Sequence, residues 1–111
     1  MLVRLKPRVA RPRRLARDRE YLVVGLDDGH FRVVNEGGEP VLYERALFDI
    51  VEPSLPCGWV RQEHPDGEYF LDPPETSGVG FYEDLHDRDD QAVEVFNHVW
   101  ERLVRWQSDR T

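Results

Sequence analysis

The sequence predicts a mainly β fold with one C-terminal α-helix. Short apolar runs separated by Gly, Pro, Asn and Asp fill the first half of the chain, as in short strands joined by tight turns. The C-terminal segment instead repeats its apolar residues at helical spacing. With 111 residues and one cysteine, Cys57, the chain is expected to form a single domain (residues 1–111) without a disulfide.

Five strands are predicted within residues 2–52. The connections carry turn residues, with DDG at residues 27–29 and paired glycines at residues 37–38. Glu44–Leu47 is predicted to form one helical turn. Strands this short and closely spaced are typical of a small barrel. The predicted strands are Leu2–Lys6, Tyr21–Leu26, His30–Val34, Val41–Tyr43 and Phe48–Val51.

Residues 53–85 are predicted to add a second hairpin and a loop to this barrel. Trp59–Gln62 and Glu68–Leu71 flank a Pro-Asp-Gly turn sequence. Residues 72–80 have the composition of a loop. We expect Gly80–Leu85 to form a last short strand.

An amphipathic helix is predicted over residues 87–107. Its apolar residues cover about half of the circumference at 100° per residue. Three aspartates near its start and two arginines near its end match the helix dipole. The apolar arc is wider than one barrel edge requires. The flank formed by Val93, Trp100 and Val104 is therefore expected to contact a second copy of the chain or another protein.

The order of the first strands carries a family resemblance. The matching features are the strand VRLK, a long irregular connection, the strand EYLVVGL, the hairpin HFRVVNEGGEPVLY and the closing ERALFDIV. Residues 2–52 thereby resemble the Src-homology-3-like barrel in its stand-alone bacterial form. The resemblance implies a peptide groove lined by Phe31 and Phe48. The Ala-Leu-Tyr-Asp-Tyr signature is absent, and the long connection is rich in arginine instead of acidic residues.

Charge is unevenly distributed along the chain. Residues 1–20 contain eight basic and two acidic side chains, whereas residues 21–111 contain seven basic and twenty acidic ones. Clustered arginines favour binding to nucleic-acid phosphates, but the acidic remainder repels a polyanion. The basic segment is alternatively expected to fold against the acidic body or to contact an acidic protein. The candidate nucleic-acid residues are Arg8, Arg11, Arg13 and Arg14.

A cluster of acidic residues spans residues 83–90. We predict that Glu83, Asp84 and Asp87 contact a basic protein partner, because complementary charge accelerates and orients association. The alternative is a solvated helix N-terminus. A calcium loop is not indicated, because the Asp-x-Asp-x-Asp-Gly pattern and its closing Glu are missing.

No catalytic or metal-binding pattern is recognisable. The four histidines lack metal-ligand spacing, Cys57 has no Cys-x-x-Cys partner, and no serine lies in a Gly-x-Ser-x-Gly turn. We therefore predict no metal, no cofactor and no enzymatic activity. The enzyme alternative is an unrecognised site near His64, Glu83 and His86.

The preferred interpretation is a cytoplasmic, non-catalytic protein-binding domain. Its size, acidity and fold type are similar to those of immunity proteins, which neutralise a toxin by covering its basic active surface. The first alternative is a regulator that binds nucleic acid through the basic segment, and the second is a small enzyme. No apolar run has the length of a signal peptide or of a membrane span.

Overall fold

A computed structural model describes residues 1–110. Seven strands in a mostly antiparallel arrangement precede one long C-terminal helix, which confirms the predicted fold class. Contacts within the chain define two units, Met1–Leu55 and a second unit that begins at Pro56. Within the described residues, no helix has the length and apolar character needed to cross a membrane.

The first unit contains five strands in the spatial order β4-β3-β2-β1-β5. The predicted helical turn is present as a single 3-10 turn at Arg45–Leu47, immediately before the last strand. All five strands that the sequence predicts are present, and no end differs from the prediction by more than one residue. They are β1 (Leu2–Leu5), β2 (Tyr21–Asp27), β3 (His30–Val34), β4 (Pro40–Glu44) and β5 (Phe48–Glu52).

The core of the first unit follows from the alternation of its strands. In β3, Phe31 and Val33 are buried while their neighbours are half-buried, and every residue of β2 except Leu22 is buried. The turn between β3 and β4 is built by Asn35, whose side-chain oxygen accepts bonds from the backbone N–H groups of residues 37 and 39. Gly38 adopts a φ of 78°, which favours glycine. These local bonds fix the register of the hairpin.

The second unit begins with the predicted hairpin, formed by β6 (Val60–Glu63) and β7 (Tyr69–Asp72). The strands pair antiparallel, with Val60 opposite Asp72. Two backbone hydrogen bonds close the turn, His64 N–H to the Glu68 carbonyl (2.8 Å) and Gly67 N–H to the His64 carbonyl (3.0 Å). A 3-10 turn at Pro74–Thr76 follows.

The predicted strand at Gly80–Leu85 is wrong, because this segment forms helix α1 (Phe81–His86). Its half-buried residues are Phe81, Tyr82 and Leu85. Leu85 lies four positions after Phe81, so the two share one face of a helix. A strand would have placed the exposed carboxylate of Glu83 on the same face as Phe81 and Leu85.

The long helix α2 spans Asp90–Arg110, later at both ends than the predicted 87–107. It starts later because Arg88 adopts a left-handed φ of 63°, which separates α2 from α1. Asp89 then accepts a hydrogen bond from the Ala92 N–H (3.0 Å), as an N-terminal cap does. The buried stripe of α2 packs against α1 and the second 3-10 turn. Its members are Ala92, Phe96, Val99, Leu103 and Gln107.

Candidate functional site

Five of the thirteen acidic residues of the second unit lie within residues 83–90, in α1 and at the start of α2. Glu83 and Asp84 lie in α1, Asp87 follows it, and all three side chains are exposed. The Asp87 N–H donates to the Glu83 carbonyl (3.0 Å), so these two residues lie one helical turn apart on the same side. We call Glu83, Asp84 and Asp87 the acidic patch.

The acidic patch is available for intermolecular contact. Within residues 1–110, none of its three carboxylates forms a hydrogen bond or an ion pair. The Asp89 carboxylate, in contrast, already accepts the hydrogen bond that caps α2. Three unpaired carboxylates on one short helix and its end can accept hydrogen bonds from Arg or Lys side chains of another molecule.

The two units differ strongly in charge. The first unit has ten basic and nine acidic side chains, a formal balance of +1. The second unit has five basic and thirteen acidic side chains, a balance of −8. The acidity of the protein therefore belongs to the second unit.

The arginine-rich connection between β1 and β2 is held by its own backbone and by acidic residues of the first unit. Arg17 donates to three backbone carbonyls of the same connection, at 2.5–3.4 Å. Arg11 donates to the Leu15 carbonyl (3.2 Å), and Leu15 itself is fully buried. Arg19 pairs with Glu36 at 2.9 Å, and Arg14 approaches Glu39 at 3.9 Å.

Two tyrosine hydroxyls form hydrogen bonds with the backbone of the connection between β1 and β2. The Tyr21 hydroxyl accepts a bond from the Ala16 N–H (2.7 Å) and donates to Glu36 (3.1 Å). The Tyr43 hydroxyl donates to the Arg13 carbonyl (3.1 Å). Burial raises the pKa of Tyr21 above its usual value, and the bond to Glu36 raises the pKa further. One interpretation left open by the sequence is that the basic segment folds against acidic residues. The structure shows this arrangement, with Glu36 and Glu39 as the acidic residues.

The four candidate nucleic-acid residues are thus divided. Arg11 and Arg14 take part in contacts within the first unit. The side chains of Arg8 and Arg13 are exposed and have no ionic partner in the described part of the chain. Among residues 1–110, they are the only two of the four whose guanidinium groups form no hydrogen bond or ion pair.

Phe31 and Phe48, the residues of the expected peptide groove, are buried in the core of the first unit. Phe31 is 1% exposed and Phe48 is 4% exposed. Their rings meet edge to face with centroids 6.0 Å apart, and the Arg45 guanidinium covers Phe31 at 4.8 Å. A ring buried in this way offers no surface to an incoming peptide. Trp100, the remaining predicted contact residue, lies on α2 and is half-buried.

Sequence reasoning missed a pocket of about 490 Å³ in the second unit. Trp59 and Trp106 line it, together with Cys57 and an ion pair between Glu75 and Arg102. Arg102 donates two hydrogen bonds to the Glu75 carboxylate, one of them from Nη2 to Oε1 at 2.9 Å. The Arg102 hydrogen bond lowers the pKa of Glu75, and the same contact raises the pKa of Arg102. Nothing in the sequence indicates that Glu75 and Arg102, which are 27 positions apart, form an ion pair.

The three residues of the alternative enzyme site, His64, Glu83 and His86, do not contact one another through hydrogen bonds or ion pairs among residues 1–110. The His64 ring packs instead against Phe70, with centroids 5.0 Å apart. Residues 1–110 contain no group of three or more His, Cys, Asp or Glu side chains placed to hold a metal ion.

Comparison with known proteins gives no relative. No family, no characterised protein and no solved structure matches this chain.

Proposed function

We propose that the protein is a non-catalytic binding domain that contacts a basic surface of another protein through its acidic second unit. The observation that supports this proposal most is the acidic patch, whose three exposed carboxylates have no partner in residues 1–110. The formal balance of −8 in the second unit adds a long-range attraction to a basic partner.

The proposed biological role is that of an immunity-type protein in the cytoplasm. Such a protein neutralises a toxin by covering its basic active surface, and an acidic surface suits this task. Charge complementarity accelerates association and rejects acidic competitors.

The first unit is proposed to be a Src-homology-3-like barrel that serves as a scaffold. Its strand order, β4-β3-β2-β1-β5, and the single 3-10 turn before β5 support this assignment. The long connection between β1 and β2 supports it as well. The buried positions of Phe31 and Phe48 disfavour a peptide groove at these rings. The scaffold is therefore assigned no ligand of its own.

The test is a pull-down from native lysate with three versions of the protein. The wild type is expected to retain a stoichiometric, basic partner. A variant with Glu83→Lys, Asp84→Lys and Asp87→Lys is expected to lose it. Glu20→Lys makes the same type of charge change at an exposed residue of the first unit and is expected to retain it. Equal recovery by all three versions would contradict the assignment of the acidic patch.

The nucleic-acid alternative depends on Arg8 and Arg13, whose side chains are exposed and uncommitted within the described residues. Phosphate contacts by these arginines would give an affinity that falls steeply with salt. Retention of DNA or RNA at low salt by the wild type, and its loss in the variant with Arg8→Ala and Arg13→Ala, would favour this alternative over protein binding.

A further inference from the structure

The pocket of about 490 Å³ in the second unit has the size and the walls of a small-molecule site. Such sites have volumes of about 300–1,000 Å³ and mostly apolar walls with a few polar groups. The indole rings of Trp59 and Trp106 line this pocket, and Leu103 adds an aliphatic wall. Both tryptophans are half-buried, so part of each ring is accessible to a ligand. Exposed indole rings favour a flat, conjugated ligand, because they can stack on its faces.

The charged side chains that line the pocket are Glu75 and Arg102, which pair with each other. Arg102 uses one N–H from each of its two terminal nitrogens in this pair, so each nitrogen retains a second N–H. The Glu75 carboxylate also accepts its own backbone N–H and retains at least one lone pair. The side chain of Arg102 is 54% exposed and that of Glu75 is 39% exposed. The pair therefore offers a ligand a hydrogen-bond donor beside an acceptor.

The charges at the pocket favour a neutral ligand. Glu75 and Arg102 cancel each other, so the lining carries no net charge. The Trp106 ring already contacts a cation, because the Arg110 guanidinium carbon lies 4.7 Å from the ring centroid. A cationic ligand would therefore gain less from this ring. An anionic ligand is repelled by the balance of −8 in the second unit.

We propose that this pocket binds a neutral, planar heterocycle that carries an N–H group beside a carbonyl, as the lactam edge of a nucleobase does. The N–H of the ligand donates to the Glu75 carboxylate, and its carbonyl accepts from Arg102. The face of the heterocycle stacks on the indole rings of Trp59 and Trp106. The acidic patch does not line this pocket, so the proposal goes beyond the proposed function and does not depend on it.

Isothermal titration calorimetry with inosine tests the proposal, because the base of this neutral nucleoside carries an N–H beside a carbonyl. A dissociation constant of about 100 μM is expected for a ligand of this size. Inosine methylated at that nitrogen has no donor for Glu75 and is expected to bind about tenfold more weakly or worse. Inosine monophosphate is expected to bind about threefold more weakly or worse, because the second unit repels its phosphate.

Three variants separate the two kinds of contact. Trp59→Leu removes a stacking ring and is expected to raise the dissociation constant of inosine about tenfold or more. Glu75→Ala removes the acceptor and is expected to abolish the preference for inosine over its methylated form, which general damage to the fold would not do. Glu94→Ala removes an exposed glutamate of α2 outside the pocket and is expected to leave both affinities unchanged. Far-ultraviolet circular dichroism checks the fold of each variant.

Cys57 reports where the ligand binds. It is the single cysteine of the chain, it is exposed, and it lines the pocket. Saturating inosine is expected to slow the alkylation of Cys57 by iodoacetamide about fivefold or more, because the bound ligand covers the thiol. No binding of inosine up to about 5 mM, equal affinity for the methylated form, or binding without protection of Cys57 would overturn the proposal. Loss of the pull-down partner in the acidic-patch variant is independent of these results.

Discussion

Leu15 is predicted to be the main apolar anchor of the connection between β1 and β2. Its side chain is 0% exposed, although it lies in an irregular and strongly basic segment. Leu15→Ala removes three carbon atoms, each contributing about 0.8 kcal/mol of transfer free energy, and leaves a cavity. We expect a loss of about 3 kcal/mol in the free energy of unfolding.

Urea unfolding followed by far-ultraviolet circular dichroism measures this loss, because the strands of the first unit contribute to that signal whereas all three tryptophans lie in the second unit. Leu15→Met keeps the volume and is expected to cost less than about 1.5 kcal/mol. Arg8→Ala alters an exposed side chain of the same connection and is expected to change stability by less than about 0.5 kcal/mol. A Leu15→Ala variant as stable as Arg8→Ala would refute the conclusion that the basic segment is packed onto the first unit.

Two hydrogen-bonded side chains give further predictions. Tyr21→Phe leaves the Ala16 N–H and Glu36 without their hydroxyl partner and should cost about 2 kcal/mol in urea unfolding. Because burial raises the pKa of Tyr21 above 10.0, its contribution is complete below pH 10.0 and should decline as pH rises through the folded-state pKa, a decline absent from the Phe variant. Arg102 lowers the pKa of Glu75 below 4.5, so the stability from this pair is present above pH 4.5 and should be lost as pH falls through the folded-state pKa. Glu75→Gln should cost only about 0.5–1 kcal/mol at neutral pH, because the pair is partly exposed, and should flatten the acid limb of the unfolding profile.

The strands of the first unit could be predicted from the sequence because their signals are local. Alternating apolar residues and turn residues such as Asn35 and Gly38 act over a few positions. The helix α2 was predictable for the same reason. Its start was not, because the left-handed Arg88 that separates it from α1 leaves no pattern in the sequence.

The structural features that could not be predicted from the sequence depend on contacts between residues that are distant along the chain. Glu75 and Arg102 are 27 positions apart, and nothing near either residue indicates that they pair. The burial of Phe31 and Phe48 could not be distinguished from a groove, because aromatic residues occur in both settings. The acidic patch, in contrast, was predictable, because neighbouring charged residues on a surface rarely lose their exposure.

The most direct test of the proposed function is the association rate of the purified protein with the partner that it retains. We predict that the rate falls as ionic strength rises and that the Glu83→Lys, Asp84→Lys, Asp87→Lys variant associates more slowly at low salt. The Glu20→Lys control should behave like the wild type. An association rate that depends neither on salt nor on these three carboxylates would contradict the proposal that the acidic second unit recognises a basic partner.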